Sequence, residues 1–338
     1  MKKNGRQLIA FILAFFTQFC FGVAHAEGGV AVSGALEPVP AAHSPIATQA
    51  SMLGAAKAGK RIVAVGDRGT ILLSDDLGRH YRQAKSVPVS SLLTDVFFVD
   101  ERVGWAVGHW GVILKTTDGG ETWLIQRVKA DEDRPLFGVH FFDADHGVAV
   151  GLWSLVLLTD DGGKNWSVQG VPAPPDSKGS SKTGGLNLLS LFAGSGGHIY
   201  ATSERGYVLS SADRGHSWKY SSTGYSGSLW GGVELPGGKV MVVGQRGTVL
   251  SGSAQDGGWV RIPVNSKSSL TSVTSSNGQI ILAGLDGFLA FSSDAGRTFK
   301  PIQAPDAPSY TSSLPISEGR WALFSRRGIL PPFSAPGV

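Results

Sequence analysis

One cysteine, Cys20, stands in a chain of 338 residues, so no disulfide can form within it. Charge is also sparse, at 17% of residues, and the net value of +4 leans on the first turn of sequence. Without Lys2, Lys3 and Arg6 the chain keeps 27 basic against 26 acidic residues, too even a balance for the cationic surface that binds phosphate, so nucleic acid is not expected as a partner. No nucleophile elbow, phosphate loop or dinucleotide fingerprint occurs: the many G-x-x-G turns run into short apolar strands and not into helices. The histidines form no H-x-H or H-x-x-x-H pair, so neither a metal nor a cofactor is expected. Long apolar runs are missing too. The stretch from Leu8 to Phe16 is shorter than the roughly 20 residues of a spanning helix. With Lys2, Lys3 and Arg6 before it and Ala24-His25-Ala26 after it, it reads as a secretory signal cut before Glu27. Phe19 lacks the small size that lipoprotein processing needs before Cys20. The expectation is a signal over 1–26, one domain over 27–338, and a monomer exported to the periplasm or the lumenal side of a membrane.

What the chain has in plenty is glycine, 47 residues, and repetition. The unit is clearest from Trp105 to Trp123, WAVGHWGVILKTTDGGETW: an apolar strand, a glycine turn, a second strand and a polar turn closed by tryptophan. Anchored at Gly111, it recurs at Gly69, Ser154, Gly206, Gly247, Gly287 and Gly328, with spacings of 42, 43, 52, 41, 40 and 41. A period near 40 built from short strands predicts a β-propeller blade. The fold class expected is therefore all-β, a seven-bladed propeller of four-stranded antiparallel blades. The last copy ends in PPFSAPGV without its polar turn, while the lead before Ser51 resembles the end of a blade. A strand near Val30 to Pro38 is accordingly expected to complete the seventh blade and close the ring.

The polar turn reads Ser/Thr-x-Asp-x-Gly-x-x-aromatic at Asp76, Asp118, Asp161, Asp213 and Asp294. Asp can accept N–H bonds inside such a turn, Gly can take a positive φ, and the ring can wedge between sheets. An acid repeated five times at one place predicts scaffold, since catalysis needs one unique arrangement. The turn resembles the Asp-box, or bacterial neuraminidase repeat, whose role in that class is structural. The whole unit, AVG-x-x-G-x-I-L-x-T-x-D-G-G-x-x-W, resembles the photosystem II stability and assembly factor family, along roughly Ser51 to Leu330. That resemblance implies a seven-bladed propeller acting as an assembly chaperone. It also implies that arginines in the turn between the second and third strands bind a membrane protein client. The matching residues are Arg68, Arg205, Arg246 and Arg327; Trp110, Trp153 and Asp286 stand at that position in the other blades, with His109, Gln245 and Arg326 beside them.

Closure of a ring brings equivalent positions to one face, so these turns predict a basic and aromatic docking face for an extended, acidic or C-terminal segment of an exported or integral membrane protein. No catalysis is expected. The alternative is a carbohydrate-binding or sialidase-like propeller, suggested by the shared Asp-box, although the sequence offers no unique acid pair. The wide spacing of 52 holds an insertion, Val171 to Gly185, rich in Pro, Ser, Gly and Lys, which should open on the arginine face.

Overall fold

The computed structural model describes residues 37–175, 185–302 and 307–335. Seven antiparallel sheets follow one another along the chain, each a meander, six of four strands and the last of three among the described residues. The all-β, seven-bladed propeller read from the repeats is thus observed. Within a blade, burial runs from inside to outside. Second strands such as Gly104–Gly108 and Gly147–Gly151 are buried at every position, because neighbouring blades cover both faces. Fourth strands such as Ser167–Val168 are exposed.

The cores lie between blades. Seven apolar clusters fill the seven clefts, including the cleft that joins the ends of the chain, where Met52, Ile62 and Leu72 of blade 1 meet Ile316, Ala322 and Phe324 of blade 7. The hydroxyl of Thr311 also donates to the Met52 carbonyl across that cleft. The ring-closing strand expected over Val30 to Pro38 falls mostly outside the described residues, as does the signal over 1–26; Glu37 and Pro38 carry no strand. The described lead follows blade 1 instead, with Ala41 N–H on the Val87 carbonyl at 3.0 Å and Ser44 N–H on the Gln83 side chain at 2.7 Å. Ala47 then packs into the closing cleft.

A feature not read from the sequence recurs in every blade. The innermost strand carries a β-bulge one residue after its start, leaving Leu53, Thr94, Phe137, Leu189, Trp230, Thr271 and Thr311 unpaired. A bulge bends and twists the strand that holds it, here at the rim of the central channel.

The Asp-box turns share one geometry. Thr159 Oγ1 donates to Asp161 Oδ1 at 2.9 Å and accepts the Gly163 N–H at 2.9 Å. Asp161 Oδ1 accepts the Asn165 N–H at 2.9 Å, and its Oδ2 accepts the Asn165 amide at 2.7 Å. The same pattern holds at Asp76, Asp118, Asp213 and Asp294, with His80, Thr122, Ser217 and Thr298 as the reciprocating side chains. The turn glycines face the preceding blade: a side chain at Gly120 would meet Leu73 and Val63, and one at Gly215 would meet Leu158 and Val148. In blade 5 the sequence SAQDGGW makes a tight hairpin instead, in which Ser253 pairs with Gly257.

Two results are expected. Thr159 is buried, so Thr159→Val strands the Gly163 N–H and should cost about 1–3 kcal/mol in a denaturant titration; a variant as stable as wild type would refute the brace. Second, the Asn165 N–H, followed by the Asn165 amide, depresses the Asp161 carboxyl to about 2, and the Thr298 hydroxyl and N–H depress Asp294. A carboxyl whose folded pKa lies below its unfolded value near 4 stabilises the fold above that value and loses the effect as pH falls through its folded one. The melting temperature should therefore drop between pH 4 and pH 2, and a flat profile there would contradict the turn geometry.

Candidate functional site

The turns between second and third strands are two-residue hairpin tips. At the first of them, Thr70 N–H bonds the Asp67 carbonyl at 2.9 Å, and the two residues between, Arg68 and Gly69, both have positive φ, of 54° and 67°. That is the type I′ geometry whose twist suits a hairpin, and it favours glycine or asparagine. Here glycine fills the second place while the first holds a large or charged side chain: Arg68, Trp110, Trp153, Arg205, Arg246 and Asp286, with φ of 54°, 60°, 55°, 58°, 55° and 55°. In blade 3 even the second place is Ser154, at φ 53°. Non-glycine residues held in this region carry strain of about 1–3 kcal/mol each, a cost that clusters where function needs a side chain at a turn.

Six of the seven tips are pinned by a backbone bond to the start of their own blade. The backbone N–H groups of Asp67, His109, Leu152, Gln245, Leu285 and Arg326 donate to the carbonyls of Ser51, Leu92, Pro135, Ser228, Ser269 and Ser309, at 2.8 to 3.1 Å. The tips therefore share a face with the blade-to-blade connections, and the Asp boxes lie at the other ends of the third strands. At this face Arg68, Arg205, Arg246, Arg326 and Arg327 are exposed. Among the described residues, the side chains of Arg68, Arg246, Arg326 and Arg327 enter no ion pair, in contrast to Arg61 and Arg82, which are held by Asp75 and Glu121.

Three sequence equivalences divide in space. Arg327 lies in a different turn: Ser325 pairs with Gly328, and Gly328 alone has positive φ, so Arg326 and Arg327 both project from the seventh tip without the left-handed backbone of the others. Trp110 is half-buried against the core between blades 1 and 2, whereas Trp153 is 51% exposed. Asp286, with Asp67 and Glu204, puts negative charge among the arginines; Glu204 accepts the Asn187 N–H and amide, at 3.2 and 2.8 Å.

A groove of about 700 Å³ runs along this face between blades 3 and 4, with Trp153, Pro172, Pro174, Asn187, Glu204 and Arg205 on its walls. The described ends of the 171–185 insertion line it, on the arginine side; 176–184 lie outside the described residues. Asn187 fixes the groove, its Oδ1 accepting the Trp153 N–H at 3.0 Å. Its role could not be read from the repeats because it lies next to the insertion, where their alignment breaks. Elsewhere Asp161 and its Asp-box equivalents are engaged by their own turns, and Asp75 and Glu121 by Arg61 and Arg82; among the described residues no group of three or more His, Cys, Asp or Glu could hold a metal ion.

Residues 83–177 match the family model described as photosynthesis system II assembly factor YCF48. No curated protein matches the chain. Among solved structures, one described as YCF48 bound to D1 peptide aligns with a TM-score of 0.69 at 19% identity, covering 88% of this chain and 99% of that one. YCF48 from Cyanidioschyzon merolae aligns with a TM-score of 0.70 at 17% identity, covering 87% and 98%. The WD40 β-propeller domain of Doa1 aligns at 0.66 and 15%, covering 86% and 94%. At such identities the structural likeness carries the fold, which propellers of unrelated function share; the likeness to the assembly-factor family rests on the sequence match across blades 2 and 3. Over residues 83–177 the chain is thus similar to the photosystem II assembly factor family, and it shares the propeller fold of the two YCF48 structures.

Proposed function

We propose that this propeller is a non-catalytic assembly factor that holds an extended, acidic or C-terminal segment of a membrane or exported protein client on its hairpin-tip face, on the periplasmic or lumenal side of a membrane. The observation that carries this reading is the set of exposed arginines at the hairpin tips: Arg68, Arg205 and Arg246 are held, like Trp153, in left-handed turns, and among the described residues Arg68, Arg246, Arg326 and Arg327 enter no ion pair. A guanidinium acting as a blade-to-blade strut would have a carboxylate beside it, as Arg61 and Arg82 do. Free forks instead suit carboxylates and backbone carbonyls of a guest, and an exposed indole buries a large area on contact. The D1 peptide of the similar YCF48 structure and the assembly role in the family description support the same class of partner.

The test uses the Trp153 tip. Trp153→Gly removes the indole while relieving a strained φ, so the fold should melt no lower than wild type. Binding of acidic peptides with a free C-terminus, followed by fluorescence anisotropy, should weaken by about tenfold or more, the loss of an ordinary aromatic anchor. Unchanged affinity would remove Trp153 from the site. A sialoside or glucan turned over above buffer controls would instead favour a carbohydrate enzyme.

A further inference from the structure

The central channel holds a carboxyl that the docking face does not use. The channel encloses about 230 Å³ where the innermost strands begin, and all seven blades line it. Asp95, on the innermost strand of blade 2 (Leu93–Phe98), is the sole titratable residue on its wall among the described residues. The equivalent residues of the other blades are Gly54, Gly138, Ser190, Gly231, Ser272 and Ser312. Asp95 borders the channel space and is half-buried, its carboxylate accepting the Val139 N–H at 3.0 Å and the Val96 N–H.

The wall around it is rich in hydroxyl groups, and the threonines of three blades already direct theirs to backbone carbonyls. A threonine hydroxyl has one proton and two lone pairs. Thr94 directs its proton to the carbonyls of Leu136, at 2.6 Å, or Val107, at 3.1 Å. Thr271 donates to Tyr310 or Ala283, and Thr311 to Met52. A hydroxyl that donates in such a latch keeps its lone pairs for a cation, and Ser190, Ser272 and Ser312 add further hydroxyls to the wall. Among the described residues no Lys, Arg or His stands on the wall. On the elements packed against the Asp95 strand, Lys57, Asp67 and Arg68 are exposed, Arg61 is held by Asp75 and Glu121, and His140 sits edge-on between Phe97 and Phe142, its pKa lowered by burial to about 4.

We infer that the channel is a binding site for a small monovalent cation, an alkali ion or ammonium, held by the Asp95 carboxylate and the lone pairs of the threonine hydroxyls. Such an ion supplies the positive charge that the wall lacks, since an ionised carboxylate away from bulk water needs a partner. Burial raises the Asp95 carboxyl to about 7, so the proton competes with the ion below neutrality. Binding should strengthen from pH 5.5 to pH 8.5.

The whole protein is melted at pH 8.5 in equal concentrations of sodium, potassium, ammonium and tetramethylammonium chlorides. Tetramethylammonium controls for ionic strength, and comparison of the other three separates alkali ions from ammonium. At least one small cation should raise the melting temperature by roughly 2–4 °C over tetramethylammonium. The difference should shrink at pH 5.5 and vanish in Asp95→Asn, which keeps the side-chain shape. Equal melts in all four salts, or a cation effect that persists in the asparagine variant or is insensitive to pH, would overturn the site. A fold lost in Asp95→Asn is covered by Asp95→Ser, which copies the residue of blades 4, 6 and 7, must also abolish the cation effect, and counts against the site if it does not.

Discussion

Trp105→Ala is expected to lower the unfolding free energy by about 3–5 kcal/mol and the melting temperature by on the order of 10 °C. Trp105 is fully buried in the second strand of blade 2, and its ring stacks on Phe141 of blade 3 at 3.4 Å between centroids. Its indole N–H donates to the Gly162 carbonyl in the Asp-box turn of blade 3, at 3.3 Å, and the same carbonyl accepts Lys115 Nζ at 2.8 Å. One truncation thus opens a cavity in the cleft between two blades and frees the turn that closes it. Because every blade has two neighbours in a ring, loosening one cleft weakens the closure of all. Val260→Ala, at a residue 64% exposed on an outer strand, should by contrast stay within about 0.5 kcal/mol of wild type. Comparable losses in the two variants would show that stability does not reside in the clefts.

The double change Arg205→Ala with Arg246→Ala should weaken capture of an acidic or C-terminal client segment by roughly 30-fold or more, the scale of a hot-spot loss. The two arginines project from the tips of blades 4 and 5, which are adjacent in the ring, so one extended segment can span both. Added salt should mimic part of the loss, since exposed charges are screened within about 10 Å at 0.1 M. Both residues are exposed, so the melt should not fall. A lower melt with capture intact would make the arginines struts and remove the proposed face.

Much of the architecture was legible in the sequence, and for a local reason. A period near 40, apolar runs of four or five residues and the Ser/Thr-x-Asp-x-Gly turn each act within a few residues, so linear reading finds them. The hairpin tips were legible as positions but not as conformations. The sequence equates Arg327 with Arg68, and the left-handed φ at Arg68 that Arg327 lacks follows from how each strand pair is joined. It likewise equates Trp110 with Trp153, whereas their burial depends on whether a core cluster lies beneath the tip.

By itself the sequence determined the blade count, the blade unit, the Asp-box turns and the face to which the arginine tips belong, because each follows from local pattern repeated in register. Only the tertiary structure decided the seven bulges, the cleft between Met52 and Phe324 and the setting of Asp95, an ordinary acid in the linear text. Those depend on strands from different blades meeting around one axis, and the distances that set their energies exist only once the ring is closed.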